Sequence, residues 1–305
     1  MKQNKTNTND NIPALAKFYL GLYNAVPRVY LPGTNLDVGF MACWMAFFFT
    51  MRAIMIPIFF SYGWPKDSRD TLDAVASLAG GFFHAPNIVP MAWVLTRSQK
   101  PFNPAGASKD YPKWWQDAVD AMLQLCTGYM VYDFCVLVWT RWVPGEGLDL
   151  DAGTILFMAH HFVTAFYMTT ARFYGAGQCS ALVCIFLGEF TNTPFNVQFV
   201  LEMARKLGLA FTPFFAQLET PNEIVTAALY LPCRIIFAPV MCSYMTYTLL
   251  VDKSARKCVP IFIRFLWIGM MFGVIHGSIN QNIVFYNMLK GHMGFGTTGT
   301  TEPEL

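Results

Sequence analysis

Two histidines, His160 and His161, stand side by side in the apolar stretch FMAHHFVTAFYMTTARF (157–173), and Asp133 lies in the one before it, YMVYDFCVLVWTRW (129–142). Neutral imidazoles beside a carboxylate are the groups of general acid–base chemistry, and such a carboxylate orients or charge-balances an imidazole. Helical spacing extends the set. Tyr129, Tyr132 and Asp133 fall at i, i+3 and i+4 and share a face. His160, Thr164 and Tyr167 fall at i, i+4 and i+7 and share another. His161 lies about 100° round from His160, so the pair can address two neighbours. Further along, His276, Asn280 and Asn287 form a polar stripe. The simplest arrangement turns these faces toward a common polar interior. The plainer alternative is that each group makes an interhelical hydrogen bond worth about 0.5–2 kcal/mol. Asp133 would then pair with Arg234 or a histidine as structural glue, and His84 would be a residue of that kind.

The elements that must position these groups are membrane helices. Of the 305 residues 54% are hydrophobic, 16% aromatic and only 13% charged, and the mean hydropathy is +0.37. A soluble domain carries about twice that charge. The expected fold is all-α: a polytopic membrane bundle of about seven transmembrane helices around a central cavity. Seven windows have the roughly 20 apolar residues that a span needs: 38–62, 73–97, 119–142, 154–174, 179–205, 223–250 and 259–289. Intramembrane ionisable residues are costly and are functional candidates by default. Arg52 and Arg264 are instead expected to snorkel or pair.

The fifth window is interrupted by GEFTNTPFN (188–196), which supplies Glu189, Asn192 and Asn196. Pro194 removes a backbone donor and frees a carbonyl near residue 190, which Thr191 or Asn192 can re-satisfy. The expected result is a kink that opens a cavity beside His160 and His161, with Glu189 giving it charge.

The rest of the chain frames this bundle. Residues 1–36 are expected to be a disordered or interfacial segment, with 13–32 lying along the membrane surface, and 291–305 a disordered tail. No cleavable signal peptide is expected, so the first span, within 37–71, does the targeting. Trp114-Trp115 is expected at a headgroup layer. Seven spans place twelve Lys and Arg on the side of the N-terminus and six on the other, which predicts a cytoplasmic N-terminus. The eight cysteines show no metal spacing and read as packing residues; no metal or cofactor is expected. The net charge of +2 says nothing about nucleic acid, but no basic run is long enough to make a phosphate-binding stripe, and no nucleic-acid partner is expected.

The order GYMVYD, HH, GEFTNTPFN and LPCRI (231–235), with SLAGGFFH (77–84) before it, resembles the TLC domain of the TRAM, Lag1 and CLN8 proteins over roughly residues 72–290. Within that family it is most similar to the TLC-domain-containing subgroup that regulates membrane lipids. The resemblance implies an endoplasmic reticulum protein whose helices enclose a cavity for a lipid or fatty acyl chain. Tyr129, Tyr132, Thr164, Tyr167, Glu189, Asn192, Asn196, Arg234, His276 and Asn280 would line it. In the ceramide synthases of this family the histidine pair is linked to N-acylation of a sphingoid base by acyl-CoA. Carried over, His160 or His161 would act as base or acyl carrier and Asp133 would orient it. The synthases follow the pair with several acidic residues, whereas this chain offers Glu189 alone. The expected function is therefore lipid homeostasis through lipid binding, with acyl-CoA-dependent N-acyl transfer as the alternative.

Overall fold

A computed structural model describes residues 12–98, 103–209 and 213–292. The N-terminal segment up to residue 11 and the tail beyond 292 lie outside it.

After a short helix α1 (Ala14–Ala25) come α2 (Gly39–Ser61), α3 (Arg69–Leu78) and α4 (Ala85–Arg97). Then follow α5 (Lys113–Arg141), α6 (Ala152–Tyr174), α7 (Gln178–Glu189) and α8 (Asn192–Lys206). The chain continues through α9 (Pro213–Leu231), α10 (Ala238–Val251), α11 (Lys253–Cys258) and α12 (Ile261–His292). The strands among the described residues are a two-residue antiparallel pair, Trp142–Val143 with Gly147–Leu148, that turns the chain from α5 to α6. Two π-helical turns, Ala79–His84 and Pro232–Phe237, join α3 to α4 and α9 to α10 into continuous rods.

Four helical rods among the described residues are long and apolar enough to cross a membrane: Gly39–Ser61, Arg69–Arg97, Lys113–Arg141 and Gln217–Val251. The other three expected windows are also helical. The fifth is split into helices of 12 and 15 residues, each too short to span alone. α6 has 23 residues, but its histidines, threonines and tyrosines dilute its hydropathy. The apolar part of α12 runs over Ile261–Gly277.

α5 is the hub. Within the folded chain 72% of its apolar stretch is buried, against 11% for α2. So α5 is surrounded by protein, while α2 turns most of its surface to lipid. Gly128 lets α2 approach: a Cβ there would lie 2.7 Å from the Met41 carbonyl oxygen. At the far end of α5 the Arg141 guanidinium grips Asp73 with bonds of 3.0 and 2.8 Å. α6 starts at Asp151, whose carboxylate accepts from the Thr154 amide at 2.6 Å. That bond holds the Asp151 carboxyl below the usual carboxylate range.

The N-terminal segment is tied down by a polar cluster. α1 buries Ala16, Tyr19 and Tyr23. The Tyr23 hydroxyl donates to Asp120 on α5. Arg172 of α6 donates to the same carboxylate at 2.6 Å and also to the Asp37 carbonyl. Asp37, buried at the start of α2, accepts from the Val29 and Gly39 amides at 3.0 Å each and from Arg28 at 2.9 Å. Burial by itself raises the Asp37 carboxyl, but these donors outweigh it and hold it below its ordinary range. Within the segment expected to be disordered or interfacial, Ala14–Ala25 is helical, and the polar groups of Tyr23 and Asp37 find partners on α5 and α6. Trp115 is likewise no headgroup anchor. It is fully buried, with its indole nitrogen bonded to the Leu95 carbonyl at 3.0 Å.

Two outcomes follow. Tyr23→Phe removes a hydrogen bond to a charged acceptor, worth about 1.5–3 kcal/mol; amide hydrogen exchange across Ala14–Ala25 should speed up while α5 stays protected. Asp37 has a depressed folded pKa, so its contribution is present above the unfolded value, about 3.9, and is lost as pH falls through the folded one. The same exchange measurement should find α1 docked at pH 5, with its protection declining progressively as the pH falls below about 4.

Candidate functional site

The site is built on three breaks in the helices. The first lies at Ala79–His84, where Gly80 and Gly81 lack side chains. A Cβ on Gly81 would sit 2.8 Å from the Asn196 Cβ, so the glycine lets α8 close on this turn. In a π turn each carbonyl is served by the amide five residues on; the Ala85 amide reaches Gly80 in this way. For Gly81 that residue is Pro86, which has no N–H. The Thr193 hydroxyl donates to the Gly81 carbonyl instead, at 2.9 Å. The second break separates α7 from α8. The Gly188 carbonyl there accepts from Thr191 at 3.0 Å and from Arg234 at 2.8 Å. The third break, Pro232–Phe237, carries Arg234 itself and again ends in an Ala-Pro pair, Ala238-Pro239.

These breaks bring two histidine–carboxylate pairs together. His84, wholly buried, places Nδ1 3.2 Å from Glu189 Oε2. His161 places Nδ1 3.2 Å from Asp133 Oδ2. Neither nitrogen is aligned for a hydrogen bond. The Tyr129 ring lies between the pairs, stacked on His84 at 3.9 Å and meeting His161 edge-on at 6.3 Å. Asn192 donates to Glu189 Oε2 at 2.7 Å. The partner of Asp133 is His161 rather than Arg234, and Arg52 donates to the Leu72 carbonyl at 3.1 Å.

Beside these pairs lies a cavity of about 100 Å³. His160, Thr164 and Tyr167 face it from α6, Glu189 from α7 and Arg234 from the third break. Its remaining wall is apolar and rich in sulfur: Cys126, Cys184, Cys242, Met168, Met270 and Met271. His161 and Asp133 are not in the wall; the kink opens on His160 alone, whose ring centre lies 5.5 Å from that of His161.

Other expected site residues fall elsewhere. Tyr132 is buried against Phe48, its ring stacked at 5.6 Å. Asn196 donates to the Asn192 carbonyl at 2.8 Å and packs on Gly81. His276 is exposed: α12 turns Met270 and Met271 to the cavity, and His276 falls about 140° round from Met271. The side chain of Asn280 lies outside the described residues. Spacing alone understated His84, because periodicity along one helix does not tell which neighbour a residue meets. The usable signal was the Gly-Gly before it and the Ala-Pro after it.

Comparison with known proteins gives one family. A family model described as the TLC domain matches residues 81–290. No curated protein and no solved structure matches the chain. The match runs from inside the first break to the last turn of α12 and includes the other two breaks, both histidine–carboxylate pairs and the cavity wall, and the apolar rods make this an integral membrane protein. That model covers more than half of the chain, and the chain belongs to the TLC domain family, a family of membrane proteins.

Proposed function

We propose that this protein holds part of an acyl chain or other single-chain stretch of a membrane lipid in its cavity and acts in lipid homeostasis in the endoplasmic reticulum. The observation behind this reading is the make-up of the cavity wall. A mostly apolar, sulfur-lined space carries its polar side chains, His160, Glu189 and Arg234, together. Methionine and cysteine are soft, adaptable surfaces for a flexible chain. A chain entering from the bilayer leaves surroundings as apolar as the wall it meets, so burial alone contributes little. Affinity must come from the polar groups and from shape.

Ceramide-synthase-like N-acyl transfer from acyl-CoA is the second reading, and the place of His160 on the cavity wall favours it. Against it, among the described residues His160 has no carboxylate at ion-pair distance: Asp133 is spent on His161, and Glu189 on His84.

Native mass spectrometry of the detergent-solubilised chain tests the first reading. The parent should release bound lipid. Ala181→Phe, which fills the wall at a buried position, should release little, while its melting temperature shows that it remains folded. A parent without lipid refutes the proposal. Intact-mass measurement after adding acyl-CoA should find no covalent acyl group. An adduct on the parent that is absent from His160→Ala would replace lipid binding by acyl transfer.

A further inference from the structure

The apolar rod that contains α10 closes at Val251, and the next apolar helix opens at Ile261, so the elbow between them lies where hydrocarbon gives way to headgroups. In that elbow α11 turns Ala255 into the protein, and Val259 just beyond it is buried too. Lys253, Arg256 and Lys257 are left exposed. Arg256 uses its Nε on the Leu250 carbonyl at 3.1 Å, and Arg264 serves the Leu249 carbonyl at 3.2 Å, so the last turn of α10 is closed. Among the described residues, none of the three exposed cations has a carboxylate at ion-pair distance. The acidic groups nearby are engaged elsewhere. Asp252 accepts from Asn103 at 3.1 Å and from the Ala255 amide at 3.0 Å. Asp117 pairs with Lys113 and Asp120 with Arg172, each at 2.6 Å.

Three cations within five residues and without acids attract whatever anion their surroundings offer. Those surroundings are lipid. Leu250 and Val251 on one side of the elbow, and Ile261, Phe262 and Phe265 on the other, are exposed where acyl chains would cover them. The headgroups of the same lipids would stand at the level of α11. Lysine keeps its apolar stem along the chains and its ammonium among the headgroups. Arg256 keeps its two terminal nitrogens for phosphate oxygens, which a guanidinium fork matches in spacing. A zwitterionic headgroup brings its own cation and gains less from this elbow than an anionic one. The bond from Asn103 ties the elbow to the end of the bundle where α5 begins. That is the end which the count of Lys and Arg assigns to the cytoplasm, where anionic lipids concentrate.

We infer that the elbow from α10 to α12 is a binding site for an anionic glycerophospholipid of the adjoining leaflet. Lys253, Arg256 and Lys257 hold its headgroup, and its chains lie along the exposed start of α12. The site is on the lipid-facing surface, apart from the cavity, and does not rest on the reading given for the cavity. It ties the end of the thinly buried rod that carries Arg234 to the membrane surface.

The test offers the full chain, in a neutral detergent, an equimolar mixture of phosphatidylserine and phosphatidylcholine with identical chains, and counts the retained lipids by native mass spectrometry. The parent should retain phosphatidylserine over phosphatidylcholine by at least about fivefold, the factor that about one surface cation contributes. The triple variant Lys253→Gln/Arg256→Gln/Lys257→Gln should retain the two equally. Lys66→Gln/Lys206→Gln, which removes two exposed cations at the opposite end, should keep the parent's preference. If the triple variant does not fold, Lys253→Gln/Lys257→Gln, which keeps the Arg256 bond to Leu250, decides by a preference reduced at least twofold. Equal retention of the two lipids by the parent overturns the proposal. So does a preference that survives in the elbow variants or is lost in the variant of the opposite end.

Discussion

A backbone carbonyl freed inside a bilayer has no water to turn to, and the site depends on how this chain meets that constraint. Its three helix breaks are answered by one another. The Gly81 carbonyl of the first is bonded by Thr193, just after the second. The Gly188 carbonyl of the second is bonded by Thr191 and by Arg234, which belongs to the third. Leaving such a group bare costs about 1–3 kcal/mol, more in lipid. The breaks are therefore one unit: shifting the rod that carries Arg234 unbinds α7, and shifting α8 unbinds the turn that carries His84.

The same economy governs the ionisable groups. His84 with Glu189 and His161 with Asp133 each put an imidazole against a carboxylate, and the Tyr129 ring fills the space between. Removing one member of such a buried pair leaves the other as an unpartnered polar group, at a cost of about 1–3 kcal/mol. That explains why four polar residues are tolerable at the centre of an apolar bundle. It also explains why the face left to the cavity is narrow. His161 and Asp133 are consumed in pairing, so His160 and Arg234 are what a guest meets.

Much of this could be read along the chain. The i, i+4, i+7 set of His160, Thr164 and Tyr167 does share one face, and that face lines the cavity, because α6 is an unbroken helix capped at Asp151. The split of the two adjacent histidines between different neighbours follows from the same 100° step. Failures came where geometry between helices decides. Spacing puts Tyr129 and Asp133 on one face but does not say that Tyr129 also stacks on His84, from another helix. His276 has the right type of side chain on the wrong side of α12. The partner of the Gly188 carbonyl is Arg234, 46 residues away, and no local rule for proline kinks points to it. His84 looked like glue because a lone histidine gives no sign of the carboxylate that another helix brings to it.

The walls of the cavity differ in how firmly they are held. α5 carries Asp120 and Gln124 at the end clamped by the N-terminal segment, Gly128 against α2, Tyr129 and Asp133 at the centre, and Arg141 locked to Asp73 at the other end. A site residue on such a helix is fixed by packing along its whole length. The Gln217–Val251 rod is the opposite case. Only 22% of its apolar stretch is buried, and Ile235, Ile236 and Phe237, next to Arg234, are exposed where lipid would cover them. Its hold on the core at that level is the bond from Arg234 to Gly188 together with side-chain packing. The cation that faces the cavity thus stands on a thinly enclosed wall, at a π turn, where a displacement of the rod would change the cavity's width and its charge at the same time.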